Sequence, residues 1–253
     1  MTTHDADPTN WVGERLASDG HVHSTFSDGV SDPAANLHAA RDTGLTSMVM
    51  ADHVRASSVW LPAFVSAVDG LRQDAAGLRI LIGVETRMLD AAGRLDLPSR
   101  LDGVERVLIA DHQYPMSDGP VGPAIIGDAL RARQTDPDTV VRQLIGAMVA
   151  AMTRVDRPAV LVHPFSILPK MGLTEADIPD DALLTLANRC RETDTPVEVN
   201  EKWACPGPAV AGVLHRAGVG LVAGSDAHHS AAVGRYRHVR EVFEAVATPM
   251  VTA

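Results

Sequence analysis

The sequence predicts an α/β fold in which parallel strands alternate with helices and close into a barrel. Short runs rich in β-branched residues recur along the chain, and helix-like segments separate them, which is typical of parallel sheets. Seven such runs in 253 residues are more than a small open sheet needs. A barrel of this class commonly occupies about 200 to 250 residues as one domain. A doubly wound sheet is the alternative.

The elements follow in order along the chain. Strands are predicted at 17–23, 47–53, 79–85, 106–112, 159–164, 195–200 and 219–228, and helices at 32–44, 139–155, 180–192 and 231–246. Asp32 is the expected cap of the first of these helices, with Pro33 in its first turn. Residues 113–139 are rich in Gly, Pro and Asp and predict a long loop with one helix, which could act as a lid. We expect an N-terminal extension over 1–17 and one barrel domain over 18–253.

Composition narrows the class of protein. Hydrophobic residues make up 45% and charged residues 21%, as in globular proteins. No apolar run approaches the 18 residues of a membrane span, and the polar first residues do not resemble a secretory signal, so we expect a cytoplasmic protein with no membrane partner. The two cysteines, Cys190 and Cys205, form no disulfide framework. The net charge of −10 argues against binding a polyanion such as nucleic acid.

Six of the seven strand runs end in His, Asp or Glu. Strand C-termini of an α/β barrel meet at one face, so these side chains should share one pocket. Any one of them could be incidental, but the whole set in the same phase indicates a metal site. The candidate ligands are His21, His23, His53, Glu85, His112, His163, Asp226 and His228, with Asp28 in the turn after the first strand.

The ligand types indicate the chemistry. Imidazole and carboxylate without thiolate suit Zn, Mn or Fe. Nine ligands are too many for one ion and suffice for two or three divalent ions, with Glu85 able to bridge. Ions about 3.5 to 4 Å apart generate a hydroxide nucleophile and hold both oxygens of an in-line displacement. Such clusters commonly hydrolyse phosphate esters.

Six short motifs, taken in order, resemble those of the PHP family (polymerase and histidinol phosphatase). They are "DGHVHSTFSDG" (19–29), "MADH" (50–53), "GVE" (83–85), "LIADH" (108–112), "LVHP" (161–164) and "GSDAHH" (224–229). The resemblance spans about residues 18 to 240. It implies that 18–253 is a single PHP-type domain, a distorted (β/α)7 TIM-like barrel with a trinuclear metal site at the strand C-termini.

The resemblance also implies how the ligands are shared. One ion would take His21, His23, Glu85 and Asp226; a second would share Glu85 and take His112 and His163; a third would take Asp28, His53 and His228. Asp52 would orient an imidazole. Asp19 has the strand phase of His21 and His23 and is expected to support the ligands rather than bind metal.

The family includes histidinol-phosphate phosphatases, nucleotide phosphatases and exonucleases. The resemblance therefore implies a phosphoric monoester hydrolase that acts on a small phosphorylated metabolite, histidinol-phosphate-like or nucleotide-like, through metal-bound hydroxide. Asp226, His228 and Glu85 are the expected catalytic residues. Cations must hold the substrate phosphate, and three arginines closely follow ligand-bearing strands. They are Arg55, Arg87 and Arg235, with Lys202 as a weaker candidate.

Three alternatives stay open at this stage. A phosphodiesterase or exonuclease on single-stranded nucleic acid would need a basic groove with stacking aromatics, and the acidic chain has no long Lys/Arg run. A metallohydrolase of the amidohydrolase type would use similar ligands on a carbon–nitrogen bond. A non-catalytic metal-binding module would bind ions without turnover. Six of the nine aromatic residues lie near the predicted mouth, where they either shape a substrate pocket or pack the rim.

Overall fold

The computed structural model describes residues 8–248, and its central feature is a sheet of seven parallel strands. The strands of this part of the chain are β1 (Ser18–Val22), β2 (Ser47–His53), β3 (Arg79–Arg87), β4 (Arg106–Ala110), β5 (Tyr114–Met116), β6 (Gly119–Val121), β7 (Ala159–Val162), β8 (Val197–Asn200) and β9 (Leu221–Gly224). The large sheet has the order β1-β2-β3-β4-β7-β8-β9, while β5 and β6 form a separate antiparallel hairpin.

The two edge strands of the large sheet meet and nearly close it. Val22 forms a parallel bridge with Ala227, just after β9. The His23 amide donates to the Ala227 carbonyl at 2.9 Å. Strands that follow one another around a ring in chain order form a barrel, so the predicted TIM-like (β/α)7 barrel is confirmed and the doubly wound alternative is wrong.

Helices separate the strands and cover the outside of the barrel. They are α1 (Pro8–Leu16), α2 (Pro33–Asp42), α3 (Leu61–Gly70), α4 (Pro123–Arg131), α5 (Pro137–Met152), α6 (Leu168–Met171), α7 (Asp180–Glu192), α8 (Pro208–Arg216) and α9 (His238–Ala247). The Asp32 side chain accepts from the Ala35 amide at 2.7 Å and caps α2, with Pro33 in the first turn, as predicted. The last helix begins later than predicted, because Ser230–Ala232 forms a separate 3-10 turn.

The predicted loop at 113–139 is more ordered than expected. It contains the β5–β6 hairpin as well as α4, the one helix that the sequence predicted. Tyr114 is buried, and its hydroxyl donates to the Val140 carbonyl at 3.1 Å, which fastens the hairpin to α5. The lid interpretation stays a prediction.

Strand alternation decides which side chains enter the barrel. Inside, a small apolar plug consists of Val49, Ala51, Leu108, Ala110, Val160 and Val162. Met48 and Met50 of β2 belong instead to the larger core under the helices. Because side chains alternate along a strand, His53 has the inward phase of Val49 and Ala51. The plug therefore fills the middle of the barrel, and polar side chains of the same phase follow it at the C-terminal mouth.

The predicted N-terminal extension contributes α1 to the structure. The Trp11 ring packs edge-on against Phe243 of α9, with a centroid distance of 5.5 Å. Residues 1–7 of the predicted extension, and 249–253 of the predicted barrel domain, lie outside the described residues. Within residues 8–248, none of the helices has the length and apolar character that crossing a bilayer requires.

Candidate metal centre

Glu85 lies at the centre of a group of imidazoles at the mouth of the barrel. Its side chain is 1% exposed at the C-terminal part of β3. Oε1 is 2.9 Å from Nε2 of both His112 and His163, and Oε2 is 2.7 Å from His53 Nδ1, 3.4 Å from His23 Nε2 and 3.5 Å from His21 Nε2. One carboxylate thus faces imidazoles that come from four parts of the chain, in keeping with a bridging role.

Two aspartates extend this group outward. Asp226 Oδ1 is 3.2 Å from His23 Nε2 and 3.3 Å from His228 Nδ1. Asp28 Oδ2 is 3.3 Å from Nε2 of both His53 and His228, and its side chain is 55% exposed. The structure therefore brings all nine predicted ligand residues together, with Asp28 at the outer edge.

The ligand atoms form overlapping groups, each with its atoms within 4.8 Å of one another. These groups are His21/Glu85/His163, His21/His23/Asp226, His53/Glu85/His112 and His23/Asp28/His53/His228. The last contains the complete set that the family resemblance implied for the third ion, whereas the structure joins His112 to His53 as closely as to His163. The assignment of ligands to particular ions stays a prediction.

The chemistry of these side chains fits divalent cations. His23 Nδ1 is buried and has no hydrogen-bond partner among the described residues, and Glu85 Oε2 forms no aligned hydrogen bond there, even to His53 Nδ1 at 2.7 Å. The Nε2 atoms of His21 and His23 face each other at 3.0 Å, so two lone pairs converge unless one nitrogen carries a proton. Buried polar atoms are normally satisfied, and cations coordinated by imidazole and carboxylate would satisfy these. The residues thus suit the two or three Mn, Zn or Fe ions expected from the sequence.

The cluster also perturbs its own ionisation. Burial by itself would lower the pKa of His21, but Glu198, Glu85 and Asp226 together raise it well above its usual value. Burial would raise the pKa of Glu85, but His112 and His21 hold it well below the usual range. Burial lowers the pKa of His23 to about 4. Imidazoles so close together cannot all hold protons, and metal binding would displace those that they hold.

Backbone conformation aims several of these side chains. His163 and Asp226 have φ of +32° and +52°, a region that side chains other than glycine seldom adopt and that is enriched at functional sites. Both follow the ends of their strands. Gly29 allows the turn after β1 to fold back, because a Cβ there would lie 2.8 Å from the Ser24 nitrogen. This close return carries Asp28 to the mouth.

Asp52 has a role that differs from the one expected. Asp52 orients no imidazole in residues 8–248, so that prediction is wrong. It accepts hydrogen bonds from the amides of Ser24 and Ser27 at 3.0 Å and from both hydroxyls at 2.6 Å, and thereby fixes the turn that carries Asp28. The expected role belongs to Asp111, whose Oδ1 is 3.3 Å from His163 Nδ1.

Asp19 supports the site through the backbone. It is fully buried and accepts from the amides of His21, Ser225 and Gly234 at 3.2, 2.9 and 2.9 Å. These bonds tie β1 to the segment after β9, where the barrel closes. Asp19 thus supports the ligands, as expected from its strand phase, by accepting hydrogen bonds from the backbone beside His21 and beside Asp226.

The sequence did not indicate the contacts that two residues make at the site, although Trp203 was among the six aromatics placed near the mouth. Glu198 of β8 is buried, and its Oε1 lies 3.0 Å from His21 Nδ1. The signal was the alternation in "VEVN", which gives Glu198 and Asn200 the same phase in the one strand that ends without a ligand. Trp203 donates its indole N–H to Asp226 Oδ2 at 2.9 Å and so restrains that carboxylate.

Among residues 8–248, two cavities adjoin the ligands. One, of about 680 Å³, extends from Glu85 and His112 to Phe26 and Trp60, and both Arg55 and Arg87 line it. Phe26 and Trp60 are 6.0 Å apart and also contact Phe64, so they pack the rim as well as lining the cavity. The other, of about 200 Å³, lies among Lys202, Trp203, Asp226 and the outer histidines.

The candidate phosphate-binding cations differ in position. Arg55 is exposed at the cavity wall, whereas Arg87 is held by Asp96 at 3.1 Å and by Gln113 at 2.6 Å. Arg235 is exposed, and the residues that line the two cavities do not include it. Lys202 is closest to the ligands, with Nζ 3.2 Å from His228 Nδ1 and 3.5 Å from Asp226 Oδ1. The structure thus favours Lys202 over Arg235.

Comparisons with known proteins agree with this geometry. Residues 19–119 match the family model of the PHP domain. A protein from Listeria monocytogenes, provisionally described as a histidinol phosphatase, has the same fold at 13% identity and a TM-score of 0.57, over 86% of this chain and 97% of that chain. A search of curated proteins found no match.

Two further solved structures overlap less closely. A provisionally described metal-dependent phosphoesterase from Bifidobacterium adolescentis aligns at 18% identity and a TM-score of 0.44, over 85% of this chain and 88% of that one. A dihydropyrimidinase from Brevibacillus agri aligns at 12% identity and a TM-score of 0.42, over 83% of this chain and 57% of that one.

Proposed function

Because residues 19–119 match the family model of the PHP domain, we propose that this chain is a metal-dependent phosphoesterase that hydrolyses monoesters of small phosphorylated metabolites. The observation that carries the proposal is the convergence of nine imidazole and carboxylate side chains at one end of the barrel. Divalent ions held there would supply an activated water and neutralise charge on the phosphate oxygens.

The chain's own side chains would orient the ester. Lys202 projects into the smaller cavity beside Asp226 and His228, where its ammonium group can hold a phosphate oxygen. Arg55 stands at the wall of the larger cavity and can contact either the phosphate or the rest of the substrate. His228 is 25% exposed and lies 3.3 Å from Asp226, so this pair is suited to pass a proton to the leaving oxygen.

Two features support a small monoester rather than a nucleic acid strand. The larger cavity, at about 680 Å³, has the size of a metabolite pocket. The net charge of −10 opposes a long polyanion, which would need a basic groove. The cavity volume and the negative net charge therefore support a phosphatase in preference to an exonuclease.

A substrate panel on metal-reconstituted protein tests the proposal. The panel contains small phosphate monoesters, a phosphodiester, a single-stranded oligonucleotide and a cyclic amide, each with Mn, Zn or Fe supplied. We expect phosphate release from monoesters, and its loss in His21→Ala and Asp226→Ala. The matched control is His38→Ala, which removes an exposed histidine of α2 outside the cluster. Turnover confined to the oligonucleotide or the amide, or no turnover with any metal, would refute the proposal.

A further inference from the structure

Strand β8 supplies no candidate ligand, but Glu198 within it forms hydrogen bonds with the His21 ring and with the His163 backbone. The side chain is 1% exposed and lies between β1, β7 and β9. We propose that Glu198 is a positioning residue that fixes the tautomer of His21 and thereby sets the affinity of the centre for metal. This inference rests on the metal centre and is independent of which substrate the enzyme hydrolyses.

The hydrogen bonds of Glu198 show what the carboxylate does. Oε1 lies 3.0 Å from His21 Nδ1. Oε2 accepts from the His163 amide at 2.8 Å and from Asn200 Nδ2 at 2.9 Å. The Asn200 amide is oriented by its oxygen, which accepts from the Trp203 amide at 2.9 Å, so its nitrogen must face Glu198. Both oxygens of Glu198 are thus acceptors in a buried place.

These bonds determine which nitrogen of His21 can bind metal. A carboxylate beside Nδ1 requires a proton on that nitrogen, which leaves the Nε2 lone pair free. Nε2 is the atom that points toward Glu85 and His23, at 3.5 and 3.0 Å. The same carboxylate accepts from the backbone amide of His163, so it positions ligands that belong to two different strands.

Gly224 of β9 makes the space for this carboxylate. A Cβ at position 224 would lie 1.8 Å from Glu198 Oε1, and something would have to shift. Glycine is therefore required here for close approach and not for its backbone angles. A side chain at this position would displace Glu198 while leaving its charge in place.

The substitution Glu198→Gln separates the tautomer effect from a loss of packing. The amide has the shape of the carboxylate but only one acceptor oxygen, and three donors surround it. The orientation that satisfies most groups turns the oxygen toward the His163 amide and Asn200, and the NH₂ toward His21 Nδ1. Nδ1 must then accept, which moves the proton of His21 to Nε2 and blocks its lone pair.

The experiment measures metal affinity by competition with a chelator, using Zn and Mn alone. It measures the His21 tautomer by ¹⁵N NMR of the metal-free protein on the alkaline side of the raised pKa of His21, where the ring carries a single proton. We expect Glu198→Gln to lower metal affinity about 10- to 100-fold and to move the proton of His21 from Nδ1 to Nε2. The matched control is Glu175→Gln, which alters another partly buried carboxylate that accepts from the Gly207 amide away from the ligands. It should bind metal as the unmodified protein does.

Gly224→Ala provides a second and independent variant. It should lower metal affinity in the same direction because it displaces Glu198, and it decides the question if Glu198→Gln fails to fold. Unchanged affinity in either folded variant, or an unchanged His21 tautomer in Glu198→Gln, would overturn the inference. A protein that binds metal as expected but releases no phosphate would refute the proposed function and leave this inference standing.

Discussion

Removing the Asp52 side chain should lower the free energy of unfolding of the domain, because this carboxylate holds the turn that carries Asp28. Asp52 is fully buried, and it binds two amides and two hydroxyls of Ser24 and Ser27. In Asp52→Ala, the buried Ser24 amide loses its acceptor. The hydroxyls of Ser24 and Ser27 can rotate toward other acceptors, but the backbone amide of Ser24 cannot.

The magnitude follows from the burial of each donor. A buried amide left without a partner costs about 1 to 3 kcal/mol, and this applies to Ser24. Ser27 is partly exposed, so water can replace its bond, and we expect about 0.5 to 1.5 kcal/mol there. Burial raises the pKa of Asp52, so its ionised form carries a desolvation cost that the variant removes. The net loss should be about 2 to 3 kcal/mol.

Thermal and denaturant unfolding of the metal-free protein, both followed by circular dichroism, measure this loss. For a domain of this length, each kcal/mol lowers Tm by about 2 to 4 °C, so Tm should fall by about 4 to 12 °C. Asp52→Asn is the matched control, because its oxygen still accepts from both amides, and it should stay within about 1 kcal/mol of the parent. An Ala variant as stable as the Asn variant would show that these bonds do not hold the turn, and would refute the reasoning.

Two further predictions concern charge at the centre. In the metal-free protein, burial opposes protonation of His163, but Asp111 and Glu85 raise its pKa to about 10. Protonated His163 stabilises the fold fully below the ordinary pKa of 6.5, and this stabilisation is lost as pH rises through about 10. Tm should therefore fall between pH 7 and pH 10, and it should fall less in His163→Gln. Equal slopes of Tm against pH in the two proteins would contradict this. Lys202→Met should raise KM for a phosphate monoester about tenfold or more with a smaller change in kcat, whereas Arg235→Met should leave both unchanged in steady-state assays; the opposite pattern would restore Arg235 as the phosphate contact.

The sequence by itself determined the barrel and the set of side chains at its mouth. Both follow from local and repetitive features: β-branched runs form strands, and the period of two fixes which side chains face inward. His53, for example, shares the phase of Val49 and Ala51, so its place could be derived before any packing was known. The C-termini of parallel barrel strands must then meet, whatever the loops do.

Only the tertiary structure decided how the ligands are supported and which cations reach them. Asp52 and Asp111 both precede a histidine at a strand end, and nothing local distinguishes them. The turn after β1 brings the amides of Ser24 and Ser27 to Asp52, which accepts hydrogen bonds from them. The close approach of β7 to β4 places Asp111 beside the His163 ring. Glu198 meets His21 across 177 residues because β8 packs against Gly224. Such contacts depend on distances between strands and on loop paths, and the periodicity of a sequence contains neither.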